Sequence, residues 1–150
     1  MKIFVIFIYK NFHINFKPFK GEIPSRRTGV LISLEQGKAS GYALFNLEDR
    51  GLLMIDAGAA VYGGMIIGEH TRNNDLEVNP LKSKQLTNFR ASGKDDAIDL
   101  TPPQKMTLEK AIAYIETDEL VEVTPKVIRL RKRHLDVHER KRNSRKMERS

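Results

Sequence analysis

The side chains best suited to chemistry in this sequence lie between residues 72 and 96, in a polar stretch flanked by apolar segments. The stretch combines cationic side chains with amides and hydroxyls, and such groups bind phosphate oxygens and base edges rather than transfer protons. A stretch of this length without a helical period is typical of a functional or a disordered loop. We interpret it as a loop that contacts nucleic acid, and a solvated surface loop is the alternative. The candidate ligands are Arg72, Lys82, Lys84, Asn88, Arg90, Ser92 and Lys94.

A second group of cations lies in residues 127–133, where apolar and polar side chains alternate as they do in a strand. The apolar side chains face one side of that strand, and three arginines face the other: Arg129, Arg131 and Arg133. Alternate residues of a strand are about 6.6 Å apart, which roughly matches the spacing of successive phosphates. Each guanidinium can bind a phosphate through two hydrogen bonds. We favour a phosphate-binding strand over the alternative, an edge strand charged to prevent aggregation.

Patterns for catalysis and metal binding are weak. Residues 63–68 have the spacing of a phosphate-binding loop, but Glu69 and His70 follow where Lys and Ser or Thr are needed. We therefore predict that this chain is not an enzyme, with no catalytic residue and no cofactor. His70 lacks a nearby nucleophile and is predicted to be structural. His134 and His138 lack a third ligand, so a charged tail explains them better than a metal site.

The positive charge of the chain belongs to one end of it. The 150 residues carry a net charge of +7, and residues 126–150 alone, with eleven Lys and Arg against three Asp and Glu, carry +8. Such a basic end indicates a polyanionic partner, and charge alone leaves RNA, DNA and anionic membrane open. The chain has no Cys, which excludes a disulfide scaffold and fits a reducing compartment. Residues 3–9 imitate a signal peptide, but the run is short and no cleavage site follows, so we favour a cytoplasmic protein.

Periodic apolar patterns predict a mainly β, α+β fold. The predicted strands are residues 29–35, 40–47, 52–55, 61–70, 97–100, 120–123 and 127–133. The first two would form a hairpin, with Gly37 at a positive φ in its turn. One helix is predicted, at residues 107–116, where Thr107 is a good N-cap and apolar side chains recur at helical spacing. The tail, residues 135–150, has few apolar anchors and is predicted to be disordered on its own, with a helix on RNA as the bound form.

Ordered segments over most of the chain match a known pattern. They are GEIPSRR at 21–27, GVLIS at 29–33, YALFNLEDRG at 42–51, VYGGMIIGEH at 61–70, NDLEVNP at 74–80, KQLTNFRASG at 84–93, MTLE at 106–109, DELVEVTP at 118–125 and IRLRKR at 128–133. In this order they resemble the C-terminal region of the TypA/BipA family of translational GTPases. The resemblance extends over about residues 17–142 and is far more specific than a single short motif.

The resemblance implies a fold, partners and a role. The fold is a small β-barrel-like domain with a helix, in a ribosome-associated GTPase whose other domains bind GTP and Mg²⁺. In the family this domain docks in the aminoacyl site of the large ribosomal subunit, and one loop reaches toward the acceptor end of the tRNA. Alignment places that loop within residues 72–96. The implied partners are large-subunit RNA and the tRNA acceptor end, with no membrane, and the family role is large-subunit assembly and stress-adaptive translation.

The resemblance lacks a GTPase portion and does not include residues 1–11. It implies a C-terminal fragment with a foreign start, which a split gene, a decayed gene or the assignment of an internal start codon would each produce. We divide the chain into an irregular extension at 1–16, a linker or end of an elongation-factor-like domain at 17–28, a TypA/BipA-type domain at 29–134 and a basic tail at 135–150.

Three functions remain open. The leading hypothesis is an RNA-binding module without catalysis, in which the cations contact phosphates while Asn88 and Ser92 contact bases or 2′-hydroxyls. The second is a protein-interaction fragment that complements a separately encoded GTPase portion, with residues 3–16 pairing as a strand in a neighbouring domain. The third is a non-functional gene remnant.

Overall fold

The computed structural model describes residues 6–8, 26–83 and 99–147, the first of these ranges as backbone only. The chain divides into a central unit, residues 28–105, and a terminal unit made of residues 1–27 and 106–150. The strands in the described residues are β1 (Ile6–Ile8), β2 (Val30–Ser33), β3 (Gly37–Lys38), β4 (Gly51–Leu53), β5 (Ala60–Val61), β6 (Met65–His70), β7 (Leu76–Val78), β8 (Glu119–Val123) and β9 (Ile128–Lys132). The helices are α1 (Gly41–Glu48), α2 (Leu108–Tyr114) and α3 (Val137–Met147).

The predicted mainly β, α+β fold is confirmed, with two differences in detail. The described residues form three helices rather than one. The described strands form open sheets, so the barrel that the resemblance implied is not closed in this part of the chain.

Strand β2 is the middle of the central unit. It pairs antiparallel with β6 and parallel with β7, and β4 pairs antiparallel with the other edge of β6. All four residues of β2 are buried, which fits an apolar strand covered on both faces. Strands β3 and β5 form a separate two-stranded sheet. This framework carries residues 72–83, the described part of the polar stretch, and Leu76–Val78 within it form β7.

The core of the central unit forms where this sheet meets α1. Leu31 of β2 and Ile67 of β6 are fully buried and pack in one cluster with Leu44 and Leu47 of α1. Met65, Val61 and further apolar side chains complete the cluster. Helix α1 is therefore part of the core rather than a surface addition.

The strand predicted at residues 40–47 is wrong, because this segment forms α1. Ser40 is the N-cap, and its side-chain oxygen accepts a hydrogen bond from the backbone N–H of Ala43 at 3.0 Å. The buried side chains Ala43, Leu44 and Leu47 occupy one face of a helix. The predicted hairpin is therefore absent.

The expected positive φ at Gly37 is also wrong, because this glycine lies in β3. Among the described residues the glycines with positive φ are Gly58, at 81°, and Gly64, at 83°. Both lie in turns, before β5 and β6 respectively, where a left-handed backbone favours glycine.

The terminal unit contains an antiparallel arrangement in the order β1, β8, β9. The predicted strands at residues 120–123 and 127–133 are confirmed as β8 and β9. The predicted helix is confirmed as α2, with Thr107 accepting a hydrogen bond from the N–H of Lys110 at 3.3 Å. Strand β1 pairs with β8 of the same chain, whereas the second hypothesis pairs that segment with a neighbouring domain.

The tail predicted to be disordered instead forms α3. The Asp136 carboxylate accepts a hydrogen bond from the N–H of Glu139 at 2.9 Å. The Arg140 guanidinium donates to the carbonyls of His134 and Leu135, at 3.0 and 2.6 Å. An acid in the first turn and cations in the last turn also complement the helix dipole. Capping hydrogen bonds and favourable charges at its ends therefore stabilise a helix that has few apolar side chains.

Candidate nucleic-acid interface

The predicted ligands fall in both units. Arg72 and Lys82 belong to the central unit, and the three arginines of β9 and its end belong to the terminal unit. The remaining predicted ligands lie outside the described residues: Lys84, Asn88, Arg90, Ser92 and Lys94.

Arg72 is exposed on a fixed turn. Its carbonyl accepts a hydrogen bond from the N–H of Gly29 at 2.7 Å. Two residues later, the carbonyl of Asn74 lies 2.6 Å from Nδ1 of the buried His70. The Asp75 carboxylate accepts a hydrogen bond from the N–H of Val30 at 3.0 Å. These contacts give His70 and Asp75 structural roles. They also hold the backbone at and after Arg72, whose side chain is exposed.

Lys82 is exposed beside the first turn of α1. Its carbonyl accepts a hydrogen bond from the Ser40 hydroxyl at 2.6 Å. On the far side of residues 84–98, the N–H of Thr101 donates to the Glu48 carboxylate at 2.6 Å. The described residues before and after that segment are thus tied to the two ends of α1.

Arg72 and Lys82 lie at opposite ends of the β2–β7 pair. Arg72 bonds to Gly29, before β2, while Lys82 bonds to Ser40, beyond its end. The two side chains therefore lie at separate positions on the central unit and do not form one cluster.

The three arginines of the terminal unit differ in exposure. Arg133 is exposed, and Arg129 is half-buried. The side chain of Arg131 is 13% exposed, and its Nε lies 3.7 Å from the Glu122 carboxylate. Arg133 is thus the member of the set best placed to reach a phosphate, while Arg131 is engaged with an acid of the neighbouring strand.

A buried charge cluster in this unit was not predicted. The Glu119 carboxylate, with no exposed side-chain surface, accepts two hydrogen bonds from the Arg26 guanidinium, at 3.0 and 2.8 Å. Lys132, 4% exposed, donates to the same carboxylate at 3.0 Å and to Asp118 at 2.9 Å. The Arg26 guanidinium also lies over the Tyr114 ring, 4.6 Å from its centroid. This cluster joins Arg26 to β8, β9 and α2.

The charges of the cluster stabilise one another. Burial alone would raise the pKa of Glu119, but hydrogen bonds from Arg26 and the charge of Lys132 outweigh it and hold that pKa below its usual value. Burial would likewise lower the pKa of Arg26, yet its bonds to Glu119 raise it. A sequence signal existed, because Lys132 has the same strand parity as the buried Leu130.

Two kinds of site are absent from the part of the chain that the structure describes. There, no group of three or more His, Asp and Glu side chains could hold a metal ion. Within the same residues, no helix is long and apolar enough to cross a membrane.

The fold defines a small α+β module with exposed cations and a basic net charge. More particularly, the chain belongs to the TypA/BipA C-terminal domain family, whose model matches residues 28–137. The resemblance inferred from the sequence segments is confirmed.

Curated relatives support the same assignment. A Haemophilus influenzae protein is 62% identical over 125 residues, which is 83% of this chain and 20% of that protein. An Escherichia coli K12 protein is 58% identical over 125 residues, or 83% of this chain and 21% of the relative. A Buchnera aphidicola protein is 56% identical over 133 residues, or 89% of this chain and 22% of the relative. All three are named large ribosomal subunit assembly factor BipA, and the chain spans about a fifth of their length.

Proposed function

We propose that this chain is a non-catalytic module that binds RNA of the large ribosomal subunit in the cytoplasm. The observation that carries the proposal is the distribution of charge: residues 126–150 hold a net +8, and their described part, residues 126–147, contains β9 and α3 and exposes most of its cations. The relatives named as large-subunit assembly factors support large-subunit RNA as the ligand in this proposal.

The described ligands act at the phosphate backbone. Arg72, Lys82 and Arg133 are exposed, and Lys and Arg on phosphates position a protein without reading sequence. Contacts to the tRNA acceptor end and to bases belong, in this proposal, to Lys84, Asn88, Arg90, Ser92 and Lys94. In this proposal the half-buried Arg129 and Arg131 of β9 add further positive charge near the bound phosphates.

Catalysis belongs to other parts of the relatives in this proposal. The chain covers about a fifth of their length, and GTP and Mg²⁺ would bind in the remainder. The module would then contribute ribosome binding to large-subunit assembly and to translation under stress. A separately encoded GTPase portion remains a possible partner, and co-purification with this chain would identify it.

The test is a titration of the fluorescently labelled chain with purified large-subunit ribosomal RNA at several salt concentrations. We expect saturable binding that weakens as salt rises, because each neutralised phosphate releases counterions. The double variant Arg72→Gln and Lys82→Gln should flatten the slope of log K against log salt by about one to two units. Absence of saturable binding at low salt would contradict the proposed function.

A further inference from the structure

Helix α3 has an exposed basic face, and none of the predicted ligands lies on it. His138, Lys141, Arg142, Arg145 and Lys146 line one shallow surface of the helix. Their spacing of three and four residues places them on one side of it, and all five are exposed. The face spans roughly 12 Å along the helix axis at 1.5 Å per residue.

The two acids among the described residues of this segment, Asp136 and Glu139, are engaged at the start of α3. Asp136 caps the helix by accepting from the N–H of Glu139. The Glu139 carboxylate lies 3.6 Å from Nδ1 of His134. Arg140 is directed back to the carbonyls before the helix.

Lys141 and Arg142 lie four and three residues before Arg145 on this face. Like charges at these spacings cost an isolated helix stability. Neutralisation by an anionic partner would remove that cost, so the face is better suited to a polyanion than to water.

The composition of α3 selects among polyanions. Val137 and Met147 are the only apolar residues from 137 to 147, so the helix lacks the apolar face with which amphipathic helices insert into membranes. Residues 135–150 contain no Phe, Tyr or Trp, and stacking on such rings is the main device of single-strand binders. Contacts to the phosphates of a double-helical RNA need neither feature.

We propose that α3 lies across the phosphate backbone of a double-helical RNA segment, with Lys141, Arg142 and Arg145 as its principal ligands. This inference rests on the proposed function and adds the element and the form of RNA that it contacts. The helix supplies point charges and guanidinium forks, and the duplex supplies closely spaced phosphates on both strands.

The experiment compares two variants of the full chain that lose the same charge. The first carries Lys141→Gln, Arg142→Gln and Arg145→Gln. The second, a control, carries Lys38→Gln, Lys105→Gln and Lys110→Gln at exposed positions outside α3. Gln has a helix propensity close to those of Lys and Arg, and circular dichroism would verify that the helix content is kept. The probes are a fluorescent 20-base-pair RNA duplex and a single-stranded RNA of the same length.

For the duplex, the α3 variant should lose affinity on the order of 100-fold at 0.1 M salt, and its salt slope should fall by about two to three units. The control should stay close to the unmodified chain. The unmodified chain should also bind the duplex more tightly than the single strand.

Other outcomes overturn the inference in distinguishable ways. If the unmodified chain binds duplex RNA and the α3 variant binds equally well, α3 is not the contact, while the proposed function stands. Equal losses in both variants would mean that only net charge matters. Vesicles of phosphatidylserine serve as a third probe, and a loss of binding that the α3 variant shows only with these vesicles would assign the face to a membrane. No binding of the unmodified chain to any RNA, including large-subunit RNA, would remove the proposed function as well.

Discussion

At the scale of single residues, the terminal unit depends on a carboxylate that has no exposed side-chain surface. Glu119 holds Arg26 and Lys132, which are 6% and 4% exposed. Taking charges out of water is costly, so breaking such a cluster by removing one partner usually destabilises a protein strongly. The cluster is therefore a stability element rather than a binding site.

Replacement of Glu119 by Gln should lower the free energy of unfolding by about 3 kcal/mol. The two buried cations would then keep fewer acidic neighbours, with Glu116 at 3.9 Å from Arg26 and Asp118 at 2.9 Å from Lys132. Urea unfolding measures the change. The control is Asp118→Asn, which removes an acid that is 49% exposed and should cost about 1 kcal/mol or less. Equal effects of the two substitutions would contradict this role of Glu119.

The same carboxylate predicts a pH dependence of stability. Because its pKa is lowered in the folded chain, its contribution is present above the unfolded pKa of about 4.3 and is lost as pH falls through the folded pKa. Glu116 acts in the opposite direction, since burial raises its pKa, but its side chain is 40% exposed. The difference in unfolding free energy between the unmodified chain and Glu119→Gln should therefore narrow below about pH 4.3. A difference that stays constant from neutral pH to pH 3 would contradict the account.

At the scale of elements, close backbone approach explains one glycine of the central sheet. A Cβ at Gly51, the first residue of β4, would overlap the backbone carbonyl oxygen of Glu69 in β6. By contrast, a Cβ at Gly41 of α1 would meet only Ala57, at 3.9 Å. Glycine is therefore sterically required at position 51, whereas position 41 has room for a side chain.

Substitution Gly51→Ala should destabilise the chain by roughly 2 kcal/mol, because the paired strands would have to move apart. Gly41→Ala should be neutral or stabilise it by up to about 1 kcal/mol, since it restricts the unfolded chain. Thermal and urea unfolding would measure both. Similar losses at the two positions would show that the β4–β6 approach does not explain the need for glycine.

The elements also show what local sequence patterns could predict. Strands β8 and β9 and helix α2 were predicted because their apolar periods and the Thr107 cap agree with their packing. The sequence does not predict helix α1, because Tyr42, Leu44 and the residues around them also alternate like a strand. The local signal for the helix is the Ser40 cap. Helix α3 was missed because its stabilising contacts are polar: the Asp136 cap and the bonds of Arg140 to nearby carbonyls.

The candidate site was predictable from the sequence only where local composition reveals it. Clustered cations are visible in composition, so Arg72, Lys82 and Arg133 were named and are exposed. Which cation meets an acid depends on strand register, and that information is tertiary. Strand parity with the buried Leu130 separates Lys132 from its exposed neighbour Arg133. The register that brings Glu119 opposite Lys132 and Glu122 opposite Arg129 cannot be read from the sequence.

At the scale of the whole molecule, two properties support binding to the large ribosomal subunit: family membership and an uneven distribution of charge. The chain belongs to the TypA/BipA C-terminal domain family, and its positive charge is concentrated in residues 126–150. Binding carried by such a surface should weaken steeply with salt, whereas assembly with a protein partner through apolar contacts should not.

The measurement that tests the central claim most directly is co-sedimentation of the purified chain with isolated large and small ribosomal subunits over a salt series. The account predicts saturable binding to the large subunit alone, with an affinity that falls as salt rises. Equal binding to both subunits, or no saturable binding to either, would contradict the claim that this module recognises the large subunit by itself.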